Sequence, residues 1–419
     1  MKYNASKTSQ FFRAASLIFV LTGIAATGQS ASIADSEHGL FSVPECFTKR
    51  IFSPERDKSN GSEEKVVAVA NIGELYAAVN DSDNAGTTLV IAPGVYMLSV
   101  NDVANRPRPN GGRLELQENM SLRGVVGDRS AVVINAGNLP ASSSSDSGVV
   151  RMGKGSNTLE WLTIRNAVSG SNINTDLIFP GTAFIRIAHI SSSGSPRGIN
   201  IRNVGPEAAN AVIDAEIIDN EVFNTTEAMR IVNQFGANGA VITARLSGNR
   251  IHNDIAGLLV VNKLSDAASI SVTSVDDQFY QNALGTSIIG GLSSGSTPAN
   301  GNTITFTAKS TSFENNDNGN FFDVGGLIIR GGENLSFPSG TSNNTVNVVL
   351  SACSIGRNQL MDLGAFGARS NPASIGAPGT NNHVTLDISS AGRNRIRQVF
   401  ANSIPDHPRL MNTVTVRNL

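Results

Sequence analysis

Four side chains in the middle of this 419-residue chain have the chemistry needed to handle an acidic sugar: Arg250, His252, Tyr280 and Glu314. Breaking a glycosidic bond beside a uronate by β-elimination requires a cation to neutralise the carboxylate and a base to take the adjacent proton. Arg250 offers the permanent charge, and His252, Tyr280 and Glu314 form an acid/base set. A second group, Glu314, Asp317 and Asp323, brackets an Asn-rich stretch with 7 extra residues relative to its neighbouring copies. Carboxylate and amide oxygens are the hard ligands that Ca²⁺ prefers, although the spacing is not that of an EF-hand loop. Three arginines, Arg202, Arg230 and Arg330, recur on one strand-like segment and are candidates for holding substrate carboxylates.

The elements that must position these residues are copies of one unit. Segments beginning at Ile213, Ile242, Ile270, Ile304, Val346 and Val384 align, at intervals of 29, 28, 34, 42 and 38 residues. Each copy has three short strand-like runs separated by small or polar turns. Alternation assigns their sides. Val222, Ile251, Phe279, Phe313 and Ile355 form one inward column, and Ile201, Ile231, Val260, Ile288 and Ile329 form another. On the second run the outward columns are Glu221, Arg250, Gln278, Ser312 and Phe223, His252, Tyr280, Glu314. Arg250, His252, Tyr280 and Glu314 therefore fall on three successive coils, about 5 Å apart per coil. On the third run the outward columns are Asn200, Arg230, Leu259, Ser287, Ile328, Phe366 and Arg202, Val232, Val261, Ile289, Arg330, Ala368. That apolar strip needs a cover. The inserts 293–303, 332–345 and 370–383 follow it, and packing of these loops on a second small core competes with self-association through the strip. Asn220, Asn249 and Asp277, and again Asn224, Asn253 and Asn316, read as amide stacks in the turns; Cys353 aligns with the first of these.

Stacked copies bury a continuous aliphatic cylinder that no single copy can bury alone. The pattern predicts an all-β fold, a single-stranded right-handed parallel β-helix over 66–419. Residues 71–81 predict a short N-terminal capping helix, with Asn71 and Glu74 as a capping box and Leu75, Ala78 and Val79 as its apolar stripe. Residues 1–30 carry a positive start, an apolar run at 14–26 and small residues after it, the form of a cleaved signal peptide; 31–65 is a polar N-terminal segment. Secretion, extracellular or periplasmic, is the expected localisation. A formal net charge of −2 gives no electrostatic case for nucleic acid or an acidic membrane. No later apolar run is long enough to span a membrane. Cys46 and Cys353 are the only cysteines, and spacing alone leaves open whether they pair.

The helix cap, the run LVIAPGVYML, the segment LELQENMSLRG from Leu114 to Gly124 and the GN- and NN-rich turns together resemble the pectate-lyase-like superfamily of right-handed parallel β-helices. The resemblance covers roughly residues 66 to 419 and is specific for fold. It implies a secreted protein that binds, and as a lyase would cleave, an acidic polysaccharide, with Ca²⁺ as the cofactor to expect. The activity signatures of that superfamily are missing or broken. There is no W-I-D-H run, and Arg106-Pro107-Arg108-Pro109 lacks the R-x-P-x-x-R spacing. Asn174-Thr175-Asp176 and Asp276-Asp277 stand too far apart for adjacent coils, and Gly291 to Gly295 matches a hydrolase elbow only outside a strand-to-helix context. A non-catalytic extracellular or surface β-helix for glycan binding, adhesion or self-assembly is the alternative.

Overall fold

A computed structural model describes residues 65–141, 147–177, 180–294, 297–316, 325–334, 341–358, 362–367, 369–370, 379–388, 395–396, 399–402 and 412–417. The expected signal peptide, the polar segment up to residue 64, Cys46, Asp317 and Asp323 lie outside them. Among the described residues every ladder between strands is parallel, and these strands fall into three sheets of 12, 10 and 11 strands. Each sheet takes one strand from each coil in turn, which is the connectivity of a parallel β-helix. Crossovers between parallel strands are right-handed almost without exception, and the fold is the right-handed form.

Strand length differs between the sheets. In the central coils the first sheet runs over seven residues, as in Val212–Ile218 and Val241–Ser247. The second runs over three, as in Glu221–Phe223 and Arg250–His252. The third runs over eight, as in Glu227–Gln234 and Ala256–Lys263. The register joins Ile213, Ile242, Ile270, Ile304, Val346 and Val384 in one unbroken column. The inward columns of the other two sheets are likewise in the expected register. These side chains are buried and merge into one core that runs the length of the helix.

One expected alignment is displaced by two residues. Leu363 pairs with Leu327, so Gly364 lies beside Ile328 and Phe366 beside Arg330. Burial decides this: the shift places Leu363 and Ala365 in the inward column beneath Leu327 and Ile329.

The N-terminal helix spans Ile72–Asn80 and buries Leu75, Tyr76, Ala78 and Val79. Asn71 Oδ1 accepts from Glu74 N at 3.0 Å, while the Glu74 carboxylate accepts from Ala70 N at 2.8 Å and Asn71 Nδ2 at 2.6 Å. The helix thus covers core that the first coils would otherwise expose.

Two polar ladders hold the corners beside the second sheet. At the corner entering it, Ile190 N donates to Asn220 Oδ1, Asn220 N to Asn249 Oδ1 and Asn249 N to Asp277 Oδ1. Cys353 continues this column, buried, with Sγ 3.4 Å from Ala308 O; burial raises its thiol pKa, which suits packing rather than nucleophilic work. At the corner leaving the second sheet the buried ladder is Thr225, Asp254, Asn282, Asn316 and Asn358. Asn224 and Asn253, expected in that stack, sit one residue earlier, at φ 54° and 58°. The left-handed turn takes them, because Asn tolerates positive φ better than most residues.

Candidate functional site

From Thr163–Arg165 to Ser354–Gly356 each second-sheet strand has three residues, so its middle side chain points inward and its two flanks point out. Val222, Ile251, Phe279 and Phe313 are fully buried, with Phe279 and Phe313 stacked at 5.2 Å. On the outside, the register places Glu221, Arg250, Gln278 and Ser312 in one row and Phe223, His252, Tyr280 and Glu314 in the next. The second row forms an aromatic ladder. Phe223 and His252 stack at 5.4 Å with 4° between planes, and His252 and Tyr280 at 4.9 Å with 20°.

Three of the four expected acid/base and charge-bearing residues meet here. Arg250 is the open member, its side chain 57% exposed, with Nη2 3.2 Å from Tyr280 Oη and Nη1 3.9 Å from Glu221 Oε1. The hydrogen bond to Tyr280, followed by the nearby Glu221 and Asp219 carboxylates, raises the guanidinium pKa above its ordinary value. His252 is more enclosed, at 14% exposure. Its Nδ1 lies 2.9 Å from Asn253 Nδ2 and its Nε2 3.4 Å from Glu221 Oε1. An amide donating to Nδ1 places the ring proton on Nε2, where it faces the carboxylate. Both nitrogens are thereby engaged. Glu314 lies one coil beyond Tyr280, and its Oε1 accepts from Ser354 Oγ, which turns it toward the following coil.

A second cluster borders this face at the corner entering the sheet. Trp161, His189 and Asp219 occupy one turn position on successive coils, at φ 58°, 56° and 50°. The Trp161 and His189 rings stack at 3.9 Å and 12°. His189 Nδ1 is 2.8 Å from Asp219 Oδ2, and Arg129 Nη2 is 3.2 Å from the same oxygen. Trp161, His189 and Asp219 are not among the residues that the sequence singles out. Their signal was the repeat itself: His189 and Asp219 are 30 residues apart, one coil, once the copies are extended upstream of Ile213.

The third sheet's outer face is closed. Arg202, Arg230 and Arg330 are 5%, 5% and 3% exposed, so they do not form the open carboxylate-binding edge expected of them. Arg230 Nη2 donates to Gln234 Oε1 at 2.8 Å, and Arg330 Nη1 lies 3.4 Å from Glu333. Glu227 sits between Arg197 at 2.6 Å and Arg230 at 3.8 Å. Burial pushes its pKa up, but Arg230 and then Arg197 outweigh that and hold it below its ordinary value. Val232, Val261, Ile289 and Leu292, with Leu259 against them, form the second small core on this face. The apolar strip is buried within the single chain.

Of the expected calcium ligands, Glu314 alone lies among the described residues, and it is engaged by Ser354. Among those residues no group of three or more His, Cys, Asp or Glu side chains is arranged to hold a metal ion. Nor is any helix among them long and apolar enough to cross a membrane.

No protein-family model matches the chain, and no curated protein matches it. Among solved structures, the mannuronan C-5 epimerase A-module of Azotobacter vinelandii is similar over 83% of this chain and 96% of its own, at 13% identity and a TM-score of 0.35. A pectate lyase is similar over 81% and 79%, at 11% identity and a TM-score of 0.37. A DFA-IIIase from Arthrobacter chlorophenolicus, solved with DFA-III bound, is similar over 80% and 79%, at 14% identity and a TM-score of 0.35. The assignment of fold rests on this chain's own strand order and register.

Proposed function

We propose that this protein binds an acidic polysaccharide along the outer face of its second sheet. One observation carries the reading: the exposed Arg250 guanidinium is braced by Tyr280 over a continuous ladder of Phe223, His252 and Tyr280. Sugar rings offer apolar C–H faces to aromatic side chains, and uronates add a carboxylate that a fixed guanidinium recognises. The columns repeat at about 4.8 Å per coil, so a linear polymer can lie across several coils.

The finer reading is cleavage by β-elimination. A base on this face takes the proton from the carbon next to the uronate carboxylate, the C–H electron pair forms a carbon–carbon double bond, the bond from the neighbouring carbon to the glycosidic oxygen breaks, and the leaving oxygen takes up a proton. Arg250 neutralises a carboxylate and Tyr280 Oη supplies the proton for the leaving oxygen. The engagement of both His252 nitrogens favours a second reading, a face that binds without cutting. Secretion, with residues 1–30 removed as a signal peptide, belongs to the proposal and fits a polymeric extracellular ligand. Ca²⁺ held by Glu314 with Asp317 and Asp323 is its cofactor arm.

The test is a panel of uronate and neutral polysaccharides offered to the mature protein with and without Ca²⁺. Binding is read by calorimetry, unsaturated uronate ends by ultraviolet absorbance and new reducing ends chemically. Binding of polyuronates that Arg250→Ala weakens about tenfold, the loss of one charge-assisted contact, is the expected result. Unsaturated ends establish the lyase, and binding without them leaves the non-catalytic reading. No binding to any acidic glycan overturns the proposal.

A further inference from the structure

We propose that the reacting end of this face is the corner formed by Arg129, Trp161, His189 and Asp219, with His189 as the base that takes the proton beside a uronate carboxylate. The inference rests on the polysaccharide-binding reading above and moves the chemistry away from His252.

The backbone supplies the first observation. Trp161 and His189 are bulky residues in the left-handed region, at φ 58° and 56°. That conformation crowds Cβ against the backbone, and a strained turn that persists is a pointer to function. The turn itself does not require an aromatic ring, because later coils fill the same position with Gly248, Asp276, Ser310 and Ala352 at φ 68°, 57°, 52° and 54°. The chain therefore accepts strain in these coils, and what it obtains is an indole and an imidazole stacked at 3.9 Å on the border of the second sheet.

The second observation is the state of the imidazole. Asp219 Oδ2, 2.8 Å from His189 Nδ1, keeps the proton on that nitrogen and leaves Nε2 as the basic one. No described residue makes a hydrogen bond to Nε2, and the side chain is 25% exposed. His252 differs on both counts, since its two nitrogens are engaged and it is more enclosed.

The third observation is the neighbouring cation. Arg129 reaches the same Asp219 oxygen at 3.2 Å, and its other nitrogen lies 3.4 Å from Ile190 O. Thr163 Oγ donates to Arg129 O at 2.9 Å and ties its loop to the second sheet. A guanidinium and a basic imidazole are thus gathered around one carboxylate. A uronate whose carboxylate faces Arg129 places its adjacent C–H toward His189 Nε2, while Arg250, on the next coil but one from His189, anchors a neighbouring sugar. In the step, Nε2 takes that proton, the electron pair of the C–H bond becomes the new double bond, the bond to the glycosidic oxygen breaks, and water returns a proton to that oxygen.

The test uses the mature chain on whichever polyuronate it binds. His189→Gly suits the left-handed turn, so folding is preserved while the base is lost. Its kcat falls about 100-fold or more with KM little changed, the scale of a lost general base, and added imidazole restores part of the rate. Asp219→Asn, whose amide can donate to Nδ1 and so hold the wrong tautomer, lowers kcat with KM little changed. His383→Gln, on the first sheet, leaves both unchanged. Cleavage by His189→Gly at the parent rate overturns the inference, as does binding of polyuronates without cleavage by the parent; this second outcome leaves the binding reading intact, whereas failure to bind overturns that reading as well.

Discussion

The outer faces of the second and third sheets are made from the same coils, one turn apart, and they behave as opposites. On the second, Arg250 stands out in solvent and paired charges and aromatic edges line the surface. On the third, Arg230 and Arg330 are buried in equivalent outward positions, and Val232 and Val261 beside them belong to a core. The strands differ in length, three residues against eight. A short strand has a single inward residue and presents its flanks at the corners, where side chains fan into water. A long strand makes a broad flat face whose apolar columns are stable only under cover. Pointing away from the cylinder is therefore not the same as facing solvent.

Substitutions at matched outward positions test this contrast. Val261→Asp places an uncompensated charge in the second small core and is expected to cost about 3 kcal/mol or more, read by denaturant unfolding. A loss under 1 kcal/mol would mean that the third face is open after all.

The next effect in size lies at the corner that joins the two sheets. Asn282, Asn316 and Asn358 each donate Nδ2 to a carbonyl of the preceding coil, Ile251, Phe279 and Phe313 respectively. Asp254 occupies the same ladder, and its Oδ2 is buried without a hydrogen-bond partner. Desolvation pushes its pKa up to about 8 despite the hydrogen bonds from Thr225. A protonated Asp254 is a donor like its asparagine neighbours, and the equivalent carbonyl is that of Val222. The folded pKa lies above the unfolded one. Its contribution to stability is thus complete below the ordinary carboxylate range and is lost as pH rises through about 8. Asp254→Asn is expected to melt several degrees above the parent at about pH 9 and close to it at about pH 5. Equal gains at both pH values would sink the assignment. Asp277, in the other ladder, has its second oxygen satisfied by Ser274 Oγ at 2.6 Å, and burial raises its pKa only to about 6. Asp277→Asn can keep a contact to the Ser274 hydroxyl, which accepts as well as donates, and its gain at alkaline over acid pH is expected to be smaller than that of Asp254→Asn because the pKa is raised less.

The smallest effect on stability falls on the open face. Arg250→Ala should unfold within about 0.5 kcal/mol of the parent, as exposed substitutions do, while polyuronate binding weakens. If it destabilises the chain as much as Val261→Asp does, the second face is structural and the contrast collapses.

Much of this molecule was legible in its residues. Ile213, Ile242 and Ile270 fall in register because a one-residue slip would turn every apolar side chain of the strand outward. The same rule put Arg250, His252 and Tyr280 on neighbouring strands of one face. It failed at Leu363, where a long insert removed the interval that fixes alignment and only burial set the pairing. It also failed at Asn224 and Asn253, because a stack and a left-handed turn one residue apart draw on the same residue type.

By itself, then, the sequence determined the coil, its inward columns and the identity of the outward ones, since these follow from a period of two along each strand and a repeat of about one coil. Tertiary structure alone decided three further things. It closed the third face over Arg202, Arg230 and Arg330. It engaged both nitrogens of His252. And it brought Trp161, His189, Asp219 and Arg129 together at one corner. Each depends on side-chain contacts between coils, or on what lies over a face, and no pattern along a single strand records either.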